Sequence, residues 1–226
     1  MISIKTAYYY ILAVKINLIK IFKKVYFKTG FYKKSLNSNI PSQFFFFPNP
    51  FLMSSFSNYK KFAFRINSLD PKKFWDQNHS TKEKKELHNF LWLSSIDRKD
   101  DASTLRKIIS LWNQSNLKYK SLIWETSIIS KRIMSWILNA DIILKNSNFG
   151  FKRDFIESIV IQTNHLKKNF KYETDHQKKI EVITILILSG LVFKEYEENY
   201  EYGIKELEKL VDIFFDDYGF PLTRSP

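Results

Sequence analysis

The stretch Val182-Ile183-Thr184-Ile185-Leu186-Ile187-Leu188-Ser189-Gly190-Leu191-Val192-Phe193 is apolar nearly all round. A helix at a protein surface needs only one apolar stripe, so a helix greasy on every side calls for cover on every side. Its twelve residues fall well short of the roughly twenty that cross a bilayer. The segment is therefore expected to be an inner helix of a two-layer helical array.

The flanking sequence continues this pattern. Helical periodicity predicts helices at 81–96, 101–116, 122–146, 151–170, 174–194 and 199–216. Asp101 and Asp154 fall in first turns, where negative charge suits the helix dipole. Asn148-Phe149-Gly150 and Tyr218-Gly219 read as stop signals. The connections are short, which makes successive helices antiparallel neighbours. The expected class is all-α: antiparallel hairpins with buried inner helices, the construction an α/α toroid requires.

The first third reads differently. Ile4, Tyr8, Ile11, Leu18, Ile19, Phe22 and Val25 recur at helical spacing, with Lys15, Lys20, Lys23 and Lys24 between them. Residues 4–28 are thus a basic amphipathic helix. A signal peptide needs a small-residue cleavage site after its apolar run, and no clean one follows Val14. Lys15 and Asn17 interrupt any bilayer span, so no transmembrane segment is expected. A membrane-interface helix stays open; packing against the following domain is preferred. Pro41, Pro48, Pro50 and Pro71 then break helices. Phe44-Phe45-Phe46-Phe47 should dock on the helical body, and Phe62, Phe64 and Ile66 alternate as in a strand. The chain divides into a basic arm at 1–36, an irregular or extended connection at 37–79, and a helical domain at 80–226.

Composition narrows the function classes. Five glycines and six prolines in 226 residues favour helices over a turn-rich β fold. With no cysteine, disulfides, thiolate nucleophiles and cysteine metal sites are excluded. The net charge of +13 is uneven. Eleven Lys or Arg and no acid precede Asp70, whereas 25 basic and 23 acidic residues follow from there. Lysine outnumbers arginine thirty to six, a bias that an AT-rich coding sequence produces without functional demand. Lys33-Lys34 and Lys60-Lys61, interleaved with Phe and Tyr, match no nucleic-acid module, and no nucleic-acid partner is expected. There is no Gly-rich phosphate loop, serine elbow or His-Glu-x-x-His pattern.

One ordered set of residues carries a resemblance. It runs Leu87-His88-Asn89-Phe90-Leu91-Trp92-Leu93, Trp112, Trp124, Lys131-Arg132 with Trp136, Asn164-His165-Leu166, Tyr218-Gly219, and Thr223-Arg224-Ser225-Pro226. Together they resemble the N-terminal helical part of heparinase II/III-like polysaccharide lyases, over roughly residues 70–226. The resemblance implies an incomplete α/α toroid and a lyase that cleaves an acidic, uronate-containing polysaccharide by β-elimination. No cofactor and no metal are expected. The resemblance implies a setting in the periplasm or cell envelope, while the lack of a clean cleavage site leaves the cytoplasm open. Relatives run further, into a C-terminal β-sandwich. The expectation is thus a truncated front end that lacks this domain and is inactive alone. The alternative is a non-catalytic helical scaffold that docks on an anionic membrane or nucleic acid through its basic first third.

The resemblance also assigns roles. β-Elimination needs a group to neutralise the uronate carboxylate, a base for the C5 proton and an acid for the leaving oxygen. Asn164 and His165 match the family's Asn-His step, and Tyr218 stands where a catalytic Tyr is found. Bland readings stand beside these: His165 as a hydrogen-bonded residue in a helix seam, and Tyr218 as part of a helix-ending turn. Arg224 either holds a uronate or pairs with Asp216 or Asp217. Asp217-Tyr218-Gly219 replaces the Asp-Gly-Gly that relatives often carry. Arg132 matches the family's Arg-x-x-x-Trp helix and is a further substrate-binding candidate. Of the four matching tryptophans, at most one is expected on sugar, with Trp124 the best placed; core packing is the commoner fate.

Overall fold

A computed structural model describes residues 4–37, 39–49, 70–76, 79–96, 98, 102–216, 218–220 and 222. Ten α-helices and three short 3-10 turns make up its regular structure, and no β-strand occurs among the described residues. The protein is all-α. Asp101, Arg224 and the alternating segment at 62–66 lie outside the described residues.

The arm is α1 (Ile4–Phe27) followed by α2 (Gly30–Leu36). Thr29 caps α2 by accepting from the Tyr32 amide. The connection is not wholly irregular, because α3 (Pro71–Asp76) forms within it. Asp70 accepts from the Lys72 amide, and Pro71 suits the first helical position, where no N–H is needed. Of the four phenylalanines at 44–47 only Phe44 is buried. It packs on Phe193 and Phe155, and the Phe45 amide donates to the Val192 carbonyl.

Two helices expected as single pieces are broken. α4 (Thr81–His88) opens with a reciprocal Ser80–Glu83 capping box and stops at Asn89. Phe90 is then left-handed, at φ 59°, before a 3-10 turn, Leu91–Ser95. A non-glycine residue there is costly. Complete burial of the ring and a 2.6 Å hydrogen bond from Ser135 Oγ to the Phe90 carbonyl hold it. α6 (Thr126–Leu138) likewise ends before α7 (Ala140–Leu144). At the break, the Ser135 carbonyl accepts from both the backbone and the side-chain amide of Asn139.

α5 (Ser103–Asn116), α6, α8 (Phe149–Asn169), α9 (His176–Val192) and α10 (Glu197–Phe214) build the core. α9 touches α6, α8 and α10, as an inner helix should. Val182, Ile183, Ile185, Leu186 and Val192 are sealed, but Thr184 and Leu191 are exposed and Leu188 is half-covered. The all-round apolar segment thus keeps one open strip, at spacings of four and three. α9 and α10 lie antiparallel and unusually close. A Cβ on Gly190 would sit 2.5 Å from the Tyr200 backbone nitrogen, and one on Gly203 2.7 Å from Ile187 Cγ1. Aromatic rings fill the other end of the core: Phe90, Trp112 and Trp136 meet edge to face.

Candidate functional site

α8 carries Gln162, Asn164, His165 and Asn169 along its last turns, and all but Asn169 are buried. Adjacent helical positions diverge by about 100°, and here Asn164 and His165 find different partners in the arm. Asn164 Nδ2 donates to the Leu36 carbonyl at 2.8 Å and lies 3.4 Å from the Tyr196 hydroxyl. His165 Nδ1 lies 2.7 Å from the Tyr32 hydroxyl. That hydroxyl also accepts from Asn169 Nδ2 at 3.0 Å, so donating its one proton to His165 is the consistent arrangement. Four rings enclose the imidazole: Phe27, Tyr32, Tyr119 and Trp124, with centroids 5.0–6.2 Å away.

Burial, reinforced by the Arg132 charge, drives the His165 pKa down to about 3, so the ring is neutral. Burial raises the Tyr32 phenol well above its ordinary value. Asn164 and His165 therefore turn to separate partners. Both side chains hold α2 against α8.

A cleft of about 400 Å³ nevertheless lies over this seam. Phe27, Tyr32, Tyr119 and Trp124 line its apolar wall, and Lys28, Lys33 and Lys118 stand at its edge. The three lysines are exposed. Trp124 is nearly covered, and its indole Nε1 donates to the Asn116 carbonyl at 2.9 Å. Trp124 thus offers the cleft only part of its ring.

The remaining candidates are elsewhere. Arg132 is wholly buried: Nε donates to Gln162 Oε1 at 2.6 Å and Nη1 to the His88 carbonyl at 2.8 Å. The Ile123 carbonyl accepts from both terminal nitrogens, and the Trp112 ring lies 4.3 Å beneath the guanidinium. Arg132 thus has its donors engaged within the fold. It ties α6 to α8 and to the end of α4. His88 accepts from Trp112 Nε1 at 2.9 Å, and burial followed by the Arg132 charge lowers its pKa to about 3. Tyr218 is 87% exposed, its amide donating to Asp216 Oδ1 in the turn after α10. It shares no contact with His165. Trp92, Trp112 and Trp136 are core. No group of His, Asp and Glu suited to a metal occurs among the described residues.

Sequence reasoning missed Tyr32, Tyr119, Lys118 and Asn169. For Tyr32 a signal existed: Phe31-Tyr32-Lys33-Lys34 stood out as basic and aromatic. Its partner lies 133 positions away, which no local pattern could supply. No protein-family model, no curated protein and no solved structure matches the chain.

Proposed function

We propose that this chain supplies the glycan-holding helical part of a heparinase II/III-like lyase that acts on uronate-containing polysaccharides. The observation that carries this reading is the cleft over His165. Aromatic faces suit the apolar faces of sugar rings, and lysines at the rim suit their carboxylates. Trp124, from the family-like set, lines this cleft, and behind it the buried His165 ring lies 5.0 Å away. The open strip of α9 at Thr184, Leu188 and Leu191 is in keeping with an incomplete α/α toroid awaiting a further layer.

In this reading the chain binds but does not eliminate. A base must reach the C5 proton directly or through one water. The His165 ring is enclosed, and its Nδ1 is committed to Tyr32. The Tyr218 side chain stands in solvent outside the cleft. A C-terminal β-sandwich of the family's kind is the partner this reading implies.

Titration calorimetry with heparan sulfate and alginate oligosaccharides tests it, with dextran as the neutral control. Binding to the acidic glycans alone is expected, weakened by salt. Lys33→Glu with Lys118→Glu leaves the core untouched and is expected to lower affinity at least about tenfold. The ultraviolet absorbance of an unsaturated uronate should not develop. Equal affinity for dextran, or indifference to the two lysine reversals, would remove the glycan reading. Turnover lost on His165→Ala would remove the claim of binding without elimination.

A further inference from the structure

The last turns of α1 meet the body. They carry Lys23, over the Tyr172 ring at 3.4 Å, and Phe27, against Tyr119 and His165 at 5.0 and 5.2 Å. These two residues lie one turn apart and define the face that meets the body. Helical geometry, at about 100° per residue, sets Val14, Leu18, Ile21 and Val25 on the opposite face. Those four form a stripe at spacings of four, three and four, and each is exposed: 43%, 50%, 58% and 62%. Phe22, beside the stripe, is 70% exposed. Lys15 and Lys24 flank the stripe on its two sides and are exposed as well. The helix contains no acid, and no acid precedes Asp70. Among the described residues no helix is long and apolar enough to cross a membrane.

We infer that α1 is a membrane-surface helix whose Val14–Val25 stripe enters the headgroup layer of an anionic bilayer. The chemistry decides among the possible occupants. A row of aliphatic side chains bounded by lysines matches acyl chains bounded by lipid phosphates and carboxylates. A nucleic acid would satisfy the lysines and leave the stripe in water. A second copy would cover the stripe and bring Lys15 and Lys24 against like charges, with no acid on α1 to pair them. The body contributes little, since the residues from Asp70 onward carry 25 basic and 23 acidic groups. The attraction is concentrated in the arm. This inference is independent of the glycan reading, because the stripe and the cleft lie on opposite faces of α1.

Flotation of the full chain with vesicles tests it. One set is phosphatidylcholine alone, and the other is phosphatidylcholine mixed with phosphatidylserine. The chain is expected to float with the mixed vesicles and to remain behind with the neutral ones. Leu18→Asp with Ile21→Asp should lower the partition roughly hundredfold, from two aliphatic side chains no longer buried. Lys15→Glu with Lys24→Glu should lower it at least about tenfold. All four positions are exposed, so circular dichroism and melting temperature should match the parent. Failure to float with the mixed vesicles, or equal flotation of the Leu18→Asp, Ile21→Asp variant, overturns the inference. So does a dimer in sedimentation that this variant dissolves, or a preference for single-stranded nucleic acid that it leaves intact.

Discussion

The Tyr32 hydroxyl and His165 Nδ1 are 2.7 Å apart across 133 residues of sequence, and their hydrogen bond joins α2 to α8 inside a shell of aromatic rings. Asn169 completes the arrangement by donating to the same hydroxyl. The bond explains why the basic arm is not free of the body, and it occupies His165 Nδ1.

Removal of that hydroxyl should loosen the arm. Tyr32→Phe leaves His165 Nδ1 without its partner in a buried seam and removes one of the two acceptors of the Asn169 amide. The expected cost is about 1–3 kcal/mol. Urea denaturation gives the magnitude, and limited proteolysis after Lys28 or Lys33 should be faster than in the parent. Unchanged stability and cleavage would show the bond to be incidental.

The buried histidines set a pH dependence. His88 and His165 each have a folded pKa of about 3, below the ordinary value of 6.5. Between those values the unfolded chain binds protons that the folded chain refuses, so stability falls as pH drops from about 6.5 towards 3. The slope per histidine approaches about 1.4 kcal/mol per pH unit, as an order of magnitude. His165→Gln cannot titrate, so its stability profile should be shallower across this window. A parallel profile for the two proteins, measured by denaturation at successive pH values, would contradict the burial of His165 as a neutral ring.

Arg132 is expected to be the costliest single polar side chain to remove. Arg132→Ala strips two backbone carbonyls and Gln162 of their donor and empties the space over Trp112. A loss of about 3–5 kcal/mol follows. Arg132→Met restores much of the volume without the charge and should cost less. Thermal melts of both variants check the order; a harmless Arg132→Ala would point to a surface role after all.

The close approach of α9 and α10 makes a graded prediction. Gly190→Ala drives a methyl against the Tyr200 backbone, which cannot move alone, whereas Gly203→Ala first meets the Ile187 side chain at Cγ1, with its backbone nitrogen farther off at 3.3 Å. Gly190→Ala should cost about 3 kcal/mol and Gly203→Ala about 1 kcal/mol. Equal costs in guanidinium titrations would mean that the helices separate readily.

Much of the helical plan was legible locally. The periodicity over 4–28 corresponds to α1 at Ile4–Phe27, and that over 151–170 to α8 at Phe149–Asn169. The breaks at Phe90 and Asn139 were not legible. One is held by Ser135 from α6, the other is engaged by Arg98, and neither contact lies within reach of a local pattern. The same limit applied to the site. An Asn-His pair on a helix is compatible with a groove or a seam, and the neighbours brought by the arm decide between them.

The sequence by itself determined that this protein is helical, that its positive charge gathers in the first third, and that most of Val182–Phe193 goes inside. Those outcomes rest on side-chain period, charge and apolarity, which are local or additive properties. Only the tertiary structure decided that Arg132 is a core strut, that His165 is a neutral ring bound to Tyr32, and that Trp124 borders a cleft. It also decided that the α1 stripe faces away from the body. Each of these depends on which distant surface meets which, and that is set by packing of the whole chain, where one buried hydrogen bond or one glycine-wide gap selects among faces the sequence leaves equivalent.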